Sequence, residues 1–162
     1  MQIFKYLSFL KRKKIPGQLV IQITDKCNAH CPQCGMRSTE KYQRTKLPFD
    51  DVKRILDAAA QNSVQSVSFT GGEPFLFFDE LRLLMRHAGQ LGIEYIRTGT
   101  NGFFFRNMNG SNFDSKIKTI AEKLAKTPVR NFWISIDSAV PEIHERMRGF
   151  SGVLSGIEKS LP

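Results

Sequence analysis

Three cysteines, Cys27, Cys31 and Cys34, lie within eight residues in the spacing C-x3-C-x2-C, and the chain has no others. An odd number set so closely cannot form a disulfide framework. In a reducing compartment it reads as a metal site. Three thiolates on one short loop can converge on a single metal centre and leave one coordination position without a cysteine. Soft thiolates suit zinc or an iron–sulfur cluster. A structural zinc would need a fourth ligand, and His30, His87 and His144 are the candidates.

Other residues with chemical potential are Gly71-Gly72-Glu73-Pro74, Asn101-Gly102 and Ser135-Ile136-Asp137. The elements that must position them follow from periodicity. Leu19–Ile23, Ser66–Phe69, Glu94–Thr98 and Phe132–Ile136 read as short buried strands. Apolar residues at helical spacing follow each strand: Val52, Ile55, Leu56 and Ala59; Leu81, Leu84, Met85, Ala88 and Leu91; Ile117, Ile120, Ala121 and Leu124. Pro48 and Asp50 introduce the first helix, and Gly92 closes the second. Gly99 to Gly102 reads as a turn. After the fourth strand Pro141 opens a short helix through Arg148, and Val153–Leu161 is a last helical segment.

Strict alternation of strand and helix predicts an α/β fold, a parallel sheet with right-handed crossovers. In such sheets ligands gather beyond the carboxyl ends of the strands. Each of the four motifs falls at such an end.

The cysteine loop resembles the signature of the radical S-adenosylmethionine (SAM) superfamily, and Gly71-Gly72-Glu73-Pro74 after the second strand matches that family's next motif. His144-Glu145-Arg146-Met147-Arg148-Gly149 is similar to a stretch of its peptide-maturase and molybdenum-cofactor branch. The resemblance implies a partial TIM-type (βα) barrel. It implies that Cys27, Cys31 and Cys34 hold three irons of a [4Fe–4S] cluster while SAM chelates the fourth. Reductive cleavage of SAM would then give a 5′-deoxyadenosyl radical that abstracts hydrogen from a small-molecule or peptide substrate, with an electron donor as partner.

Gly71 and Gly72 would let the backbone approach the ligand, and Glu73 would meet the methionine ammonium. Ser135 would bond the ribose or carboxylate region of SAM, or be satisfied within the sheet. Asp137 would orient the ribose or cap the helix at Pro141, the cap being the simpler role. Asn101 would face the cofactor or make the turn with Gly102. Arg148 is expected to contact the loops, and Phe103-Phe104-Phe105 to form a core or partner-facing patch.

Two departures stand out. The position before the third cysteine, often aromatic in this family, is Gln33, with Met36 available to pack in its place. The family core has six strand–helix units, and about four are legible here. The expectation is a core over residues 17–162, truncated after the fourth unit, with an exposed sheet edge that another chain could complete.

Length and composition bound the rest. The 162 residues, 41% apolar and 24% charged, suit one globular domain. Five of the nine excess positive charges, Lys5 and Lys11–Lys14, sit in an arm over residues 1–16. Its basic run follows its apolar stretch, the reverse of a secretory signal, so the expected location is cytoplasmic. Ile3, Phe4, Leu7 and Leu10 share a helical face that could lie on a membrane surface or cover the barrel; covering the barrel is the simpler reading. The basic cluster lacks interleaved aromatics, which favours a solvated arm over RNA binding. The competing functions are an active radical SAM enzyme, a cluster- and SAM-binding module without turnover, and a basic RNA-binding or structural-zinc protein.

Overall fold

The computed structural model describes residues 17–37 and 42–161; the arm expected over residues 1–16 lies outside them. Four strands, β1 (Gln18–Thr24), β2 (Ser66–Gly71), β3 (Tyr95–Thr100) and β4 (Val129–Ile134), pair in sequence order and all in parallel. Helices α1 (Phe49–Gln61), α2 (Phe78–Gln90) and α3 (Phe113–Ala125) join them, and α4 (Pro141–Arg148) and α5 (Val153–Ser160) follow β4. The fold is α/β, a parallel arc of a (βα) barrel with four strand–helix units.

The sheet is held to the helices by alternation along each strand. Ile21 and Ile23 of β1, Val67 and Phe69 of β2 and Ile96 of β3 are buried in one cluster with Val52 and Leu56 of α1 and Leu81, Leu84, Met85 and Ala88 of α2. Leu56 and Leu81 are fully buried, each stabilising the fold by about 1.5–3 kcal/mol. Ile55, expected on the same stripe, is 39% exposed, because the stripe of α1 is only as wide as its contact with the sheet. Asp50 and Asp51 in the first turn of α1 complement its dipole. Gly92, at φ +81°, ends the turn after α2.

Strand boundaries differ from the pattern in the sequence. β3 runs on through Gly99 and Thr100, which are ladder residues and not part of a turn. The reason is tertiary: the carbonyl of Thr100 accepts the N–H of Ser135 at 2.8 Å, and Trp133 packs so closely on Gly99 that a Cβ there would lie 2.1 Å from its ring. β4 starts earlier than expected and stops at Ile134, so Ser135 and Ile136 lie beyond it. β2 continues to Gly71.

On its outer side β1 is partly covered. Lys46 makes an antiparallel bridge to Thr24, the N–H of Leu47 donates to Ile23 at 2.9 Å, and Thr24 Oγ1 donates to the carbonyl of Thr45 at 2.8 Å. β4 pairs with β3 alone among the described residues. Beside it, Ile117, Ile120 and Leu124 of α3 stay partly buried, and with Phe104, Phe105 and Phe132 they line an apolar groove of about 400 Å³. Among the described residues no helix is long and apolar enough to cross a membrane.

Candidate functional site

The ends of β1 and β2 meet where the cysteine loop begins. The N–H of Gly72 donates to the carbonyl of Thr24 at 2.7 Å, and that of Glu73 to Lys26 at 2.9 Å. A Cβ on Gly71, whose φ is +129°, would lie 2.1 Å from the oxygen of Thr24; one on Gly72 would lie 2.2 Å from that of Lys26. The glycines are therefore required by the backbone of the cysteine loop itself, a contact that sequence reasoning had assigned to the ligand. Both also line the cavity beside the cysteines.

Glu73 is 1% exposed. Its Oε1 accepts from the N–H of Phe75 at 2.9 Å and from Thr100 Oγ1 at 2.8 Å, and its Oε2 from the N–H of Asn101 at 2.6 Å. The carboxylate thus caps the 3-10 turn Pro74–Phe77 and pins the end of β3 to it. Burial raises its pKa above the ordinary value, and the three donors and Arg148 oppose that rise. One acceptor position on Oε2 remains open.

Asn101 makes the turn and also reaches the cysteine loop. Its Oδ1 accepts from the N–H of Phe103 at 3.0 Å, making the turn. Its Nδ2 donates to Asn28 Oδ1 at 2.9 Å and points at Cys27 Sγ from 3.7 Å. The N–H of Ala29 also approaches that sulfur, at 3.4 Å. Cys27 is exposed as a residue, yet the atoms packed around its sulfur desolvate the thiolate and raise its pKa, with the Glu73 charge adding to the effect.

Asp137 neither caps α4, whose N-cap is Val140 without a side-chain bond, nor lines the cavity. Its carboxylate pairs with Arg148, Nε at 2.7 Å and Nη2 at 3.1 Å, and accepts from Gln33 Nε2 at 3.4 Å. The backbone explains why the cap fails: the N–H of Asp137 donates to Nδ1 of the fully buried His144 at 3.3 Å. Burial, and then the Arg148 charge, lowers the pKa of His144.

Two cavities share Cys27, Cys31, Cys34, Gly71 and Gly72. One, of about 270 Å³, adds Glu73, Pro74, Asn101, Ser135 and Arg148; the other, of about 300 Å³, adds Met36, Tyr42 and Arg44. The structure thus collects every expected site residue except Asp137 at one rim. It adds Trp133 and Gly99, missed in the sequence although the strand expected over Phe132–Ile136 would put Trp133 and Ser135 on one face by their spacing of two.

The donor set bears on what the thiols hold. His87 is bonded to Asp57 at 2.7 Å and His144 to the Asp137 backbone. No three Cys, His, Asp or Glu side chains among the described residues meet at one point as a single ion requires. Three thiols lining one cavity fit a cluster held by cysteines, and N–H donors near the sulfurs suit its charge. The open acceptor on Glu73 fits an ammonium.

Fold and rim together define an arc of an α/β barrel with three thiols lining one cavity at the carboxyl ends of the strands. The chain belongs to the radical SAM superfamily, whose family model matches residues 21–160; its members use a [4Fe–4S] cluster and SAM. It is 29% identical over 146 residues to a probable GTP 3′,8-cyclase of Thermococcus kodakarensis, covering 88% of this chain and 43% of that protein. It is 31% identical to the GTP 3′,8-cyclase of Alkaliphilus metalliredigens over 87% of this chain and 42% of that one. The chain therefore spans less than half the length of these relatives. Among solved structures, Streptococcus suis SuiB bound to S-adenosylmethionine superposes with a TM-score of 0.64 and 26% identity, over 92% of this chain and 32% of that one. BtrN in complex with AdoMet and 2-DOIA shares the fold, with a TM-score of 0.62 at 16% identity over 92% of this chain and 53% of that one.

Proposed function

We propose that Cys27, Cys31 and Cys34 hold a [4Fe–4S] cluster, that Gly71–Pro74, Asn101 and Ser135 form the SAM site beside it, and that the chain carries out radical SAM chemistry. When bound, these groups supply one-electron cleavage of the sulfonium and a 5′-deoxyadenosyl radical for hydrogen abstraction. The protein's own part is placement. Glu73 offers its remaining acceptor to the SAM ammonium, Ser135 offers a hydroxyl from the far wall, and Trp133 presents an apolar face. The observation that carries this reading is the shared cavity: the three thiols, a fully buried carboxylate and Ser135 face one space.

The substrate class rests on likeness. The similar GTP 3′,8-cyclases favour a nucleotide, whereas SuiB bound to the precursor peptide SuiA favours a peptide. An electron donor is required in either case. A second reading is a cluster- and SAM-binding module without turnover; it rests on β4 pairing with β3 alone among the described residues.

Anaerobic reconstitution with iron and sulfide tests the first claim: a [4Fe–4S] spectrum is expected, and tight zinc in its place would overturn it. Release of 5′-deoxyadenosine on adding reductant and SAM separates the enzyme from the module.

A further inference from the structure

We propose that Arg148 and Asp137 form a charge pair that sets the reduction potential of the cluster through Cys31; this rests on the cluster assignment above. Arg148 Nη1 stands 3.9 Å from Cys31 Sγ, while Nε and Nη2 are on the Asp137 carboxylate.

The chain brings the two together by a strap between α4 and the cysteine loop. Gly149, at φ +72°, ends α4 where a Cβ would lie 2.6 Å from the Cβ of His30. The N–H of His30 donates to the carbonyl of Arg148 at 2.8 Å. Gln33, inside the cysteine loop, reaches the same Asp137 carboxylate at 3.4 Å. Both partners are sheltered, with side chains 14% and 22% exposed, so water screens them weakly.

A guanidinium is a fixed cation. One-electron reduction adds a negative charge to a group bound at Cys31. A fixed cation with an N–H on that sulfur stabilises the reduced form and raises the potential. Asp137 acts in the opposite sense, while the strap of His30 on the Arg148 carbonyl keeps Arg148 at the loop without the carboxylate. The position is a compromise between them, which makes the sign of each substitution predictable.

The test is an EPR-monitored redox titration of the reconstituted 162-residue chain without SAM. Arg148→Gln removes the cation and leaves the anion, so the potential falls; at fixed poise the reduced-to-oxidised ratio drops about tenfold, 59 mV for a one-electron couple. Asp137→Asn leaves the cation uncompensated, so the potential rises. Arg148→Lys lies between Arg148→Gln and the unaltered chain, and the double variant lies above Arg148→Gln. Opposite signs cannot come from loosening of the loop, which would move both variants the same way. Equal potentials, or shifts of one sign, in variants with full cluster spectra overturn the proposal and leave the cluster assignment standing. Failure of the unaltered chain to form a cluster overturns both. If Arg148→Gln takes up no cluster, Arg148→Lys and Asp137→Asn still decide by the direction of their shifts.

Discussion

The backbone N–H of Asn101 donates to Oε2 of Glu73 at 2.6 Å, while the side chain of Asn101 reaches toward Cys27 Sγ at 3.7 Å. One residue at the end of β3 therefore joins the buried carboxylate that follows β2 to the cysteine loop that follows β1. Asn101 is one route by which a disturbance of Glu73 reaches the thiols, beside the bond from the Glu73 N–H to Lys26.

Glu73→Gln is expected to weaken this corner. The amide keeps the shape but replaces one acceptor with a donor facing buried N–H groups, at a cost of about 1–3 kcal/mol. The pH dependence has a definite sign. The pKa of Glu73 in the folded chain is raised above 4.5, so the folded state binds the proton more tightly than the unfolded state. Its contribution to stability falls as pH rises from the ordinary glutamate value to the raised one. Urea midpoints across that window should show this decline in the unaltered chain and not in Glu73→Gln.

His144 predicts the opposite slope. Its folded pKa is lowered from 6.5, so the unfolded state takes up the proton first and stability falls as pH drops below that value. The slope is bounded by about 1.4 kcal/mol per pH unit. Replacing His144 with Leu should remove it, and should also release the N–H of Asp137, seen as faster amide exchange at Asp137.

Gly72→Ala would place a Cβ 2.2 Å from the oxygen of Lys26. The expected cost is about 1–3 kcal/mol from crowding, with loss of cluster uptake because the stem of the cysteine loop must shift. Gly35→Ala, with open space around it, is the control. Urea titration and iron content of reconstituted protein read the two effects separately.

Alanine at Cys27, Cys31 or Cys34 should each abolish the cluster absorbance, and the unaltered chain should hold about four irons. Without metal, Cys31→Ala should be the most costly of the three, at about 1 kcal/mol, because Cys31 is 7% exposed and part of the core while Cys27 is exposed. Thermal melts of the metal-free variants check the order.

Local patterns determined much of this protein. The spacing of Cys27, Cys31 and Cys34, the Gly71–Pro74 turn and the alternation of strands with amphipathic helices are read along the chain, because their physics is set within a few residues. The α/β alternation with its parallel sheet, the three clustered thiols and the Glu73 turn at a strand end were thus legible in the sequence. The extension of β3 through Gly99 and Thr100, the pairing of Asp137 with Arg148 and the place of Trp133 in the cavity were decided only by tertiary structure. Each depends on a partner far away in the chain: Ser135 for Thr100, the cysteine loop for Arg148, Gly99 for Trp133. Hydrogen-bonding groups and charges choose among several local options, and the choice falls to whichever partner the packed core brings within reach.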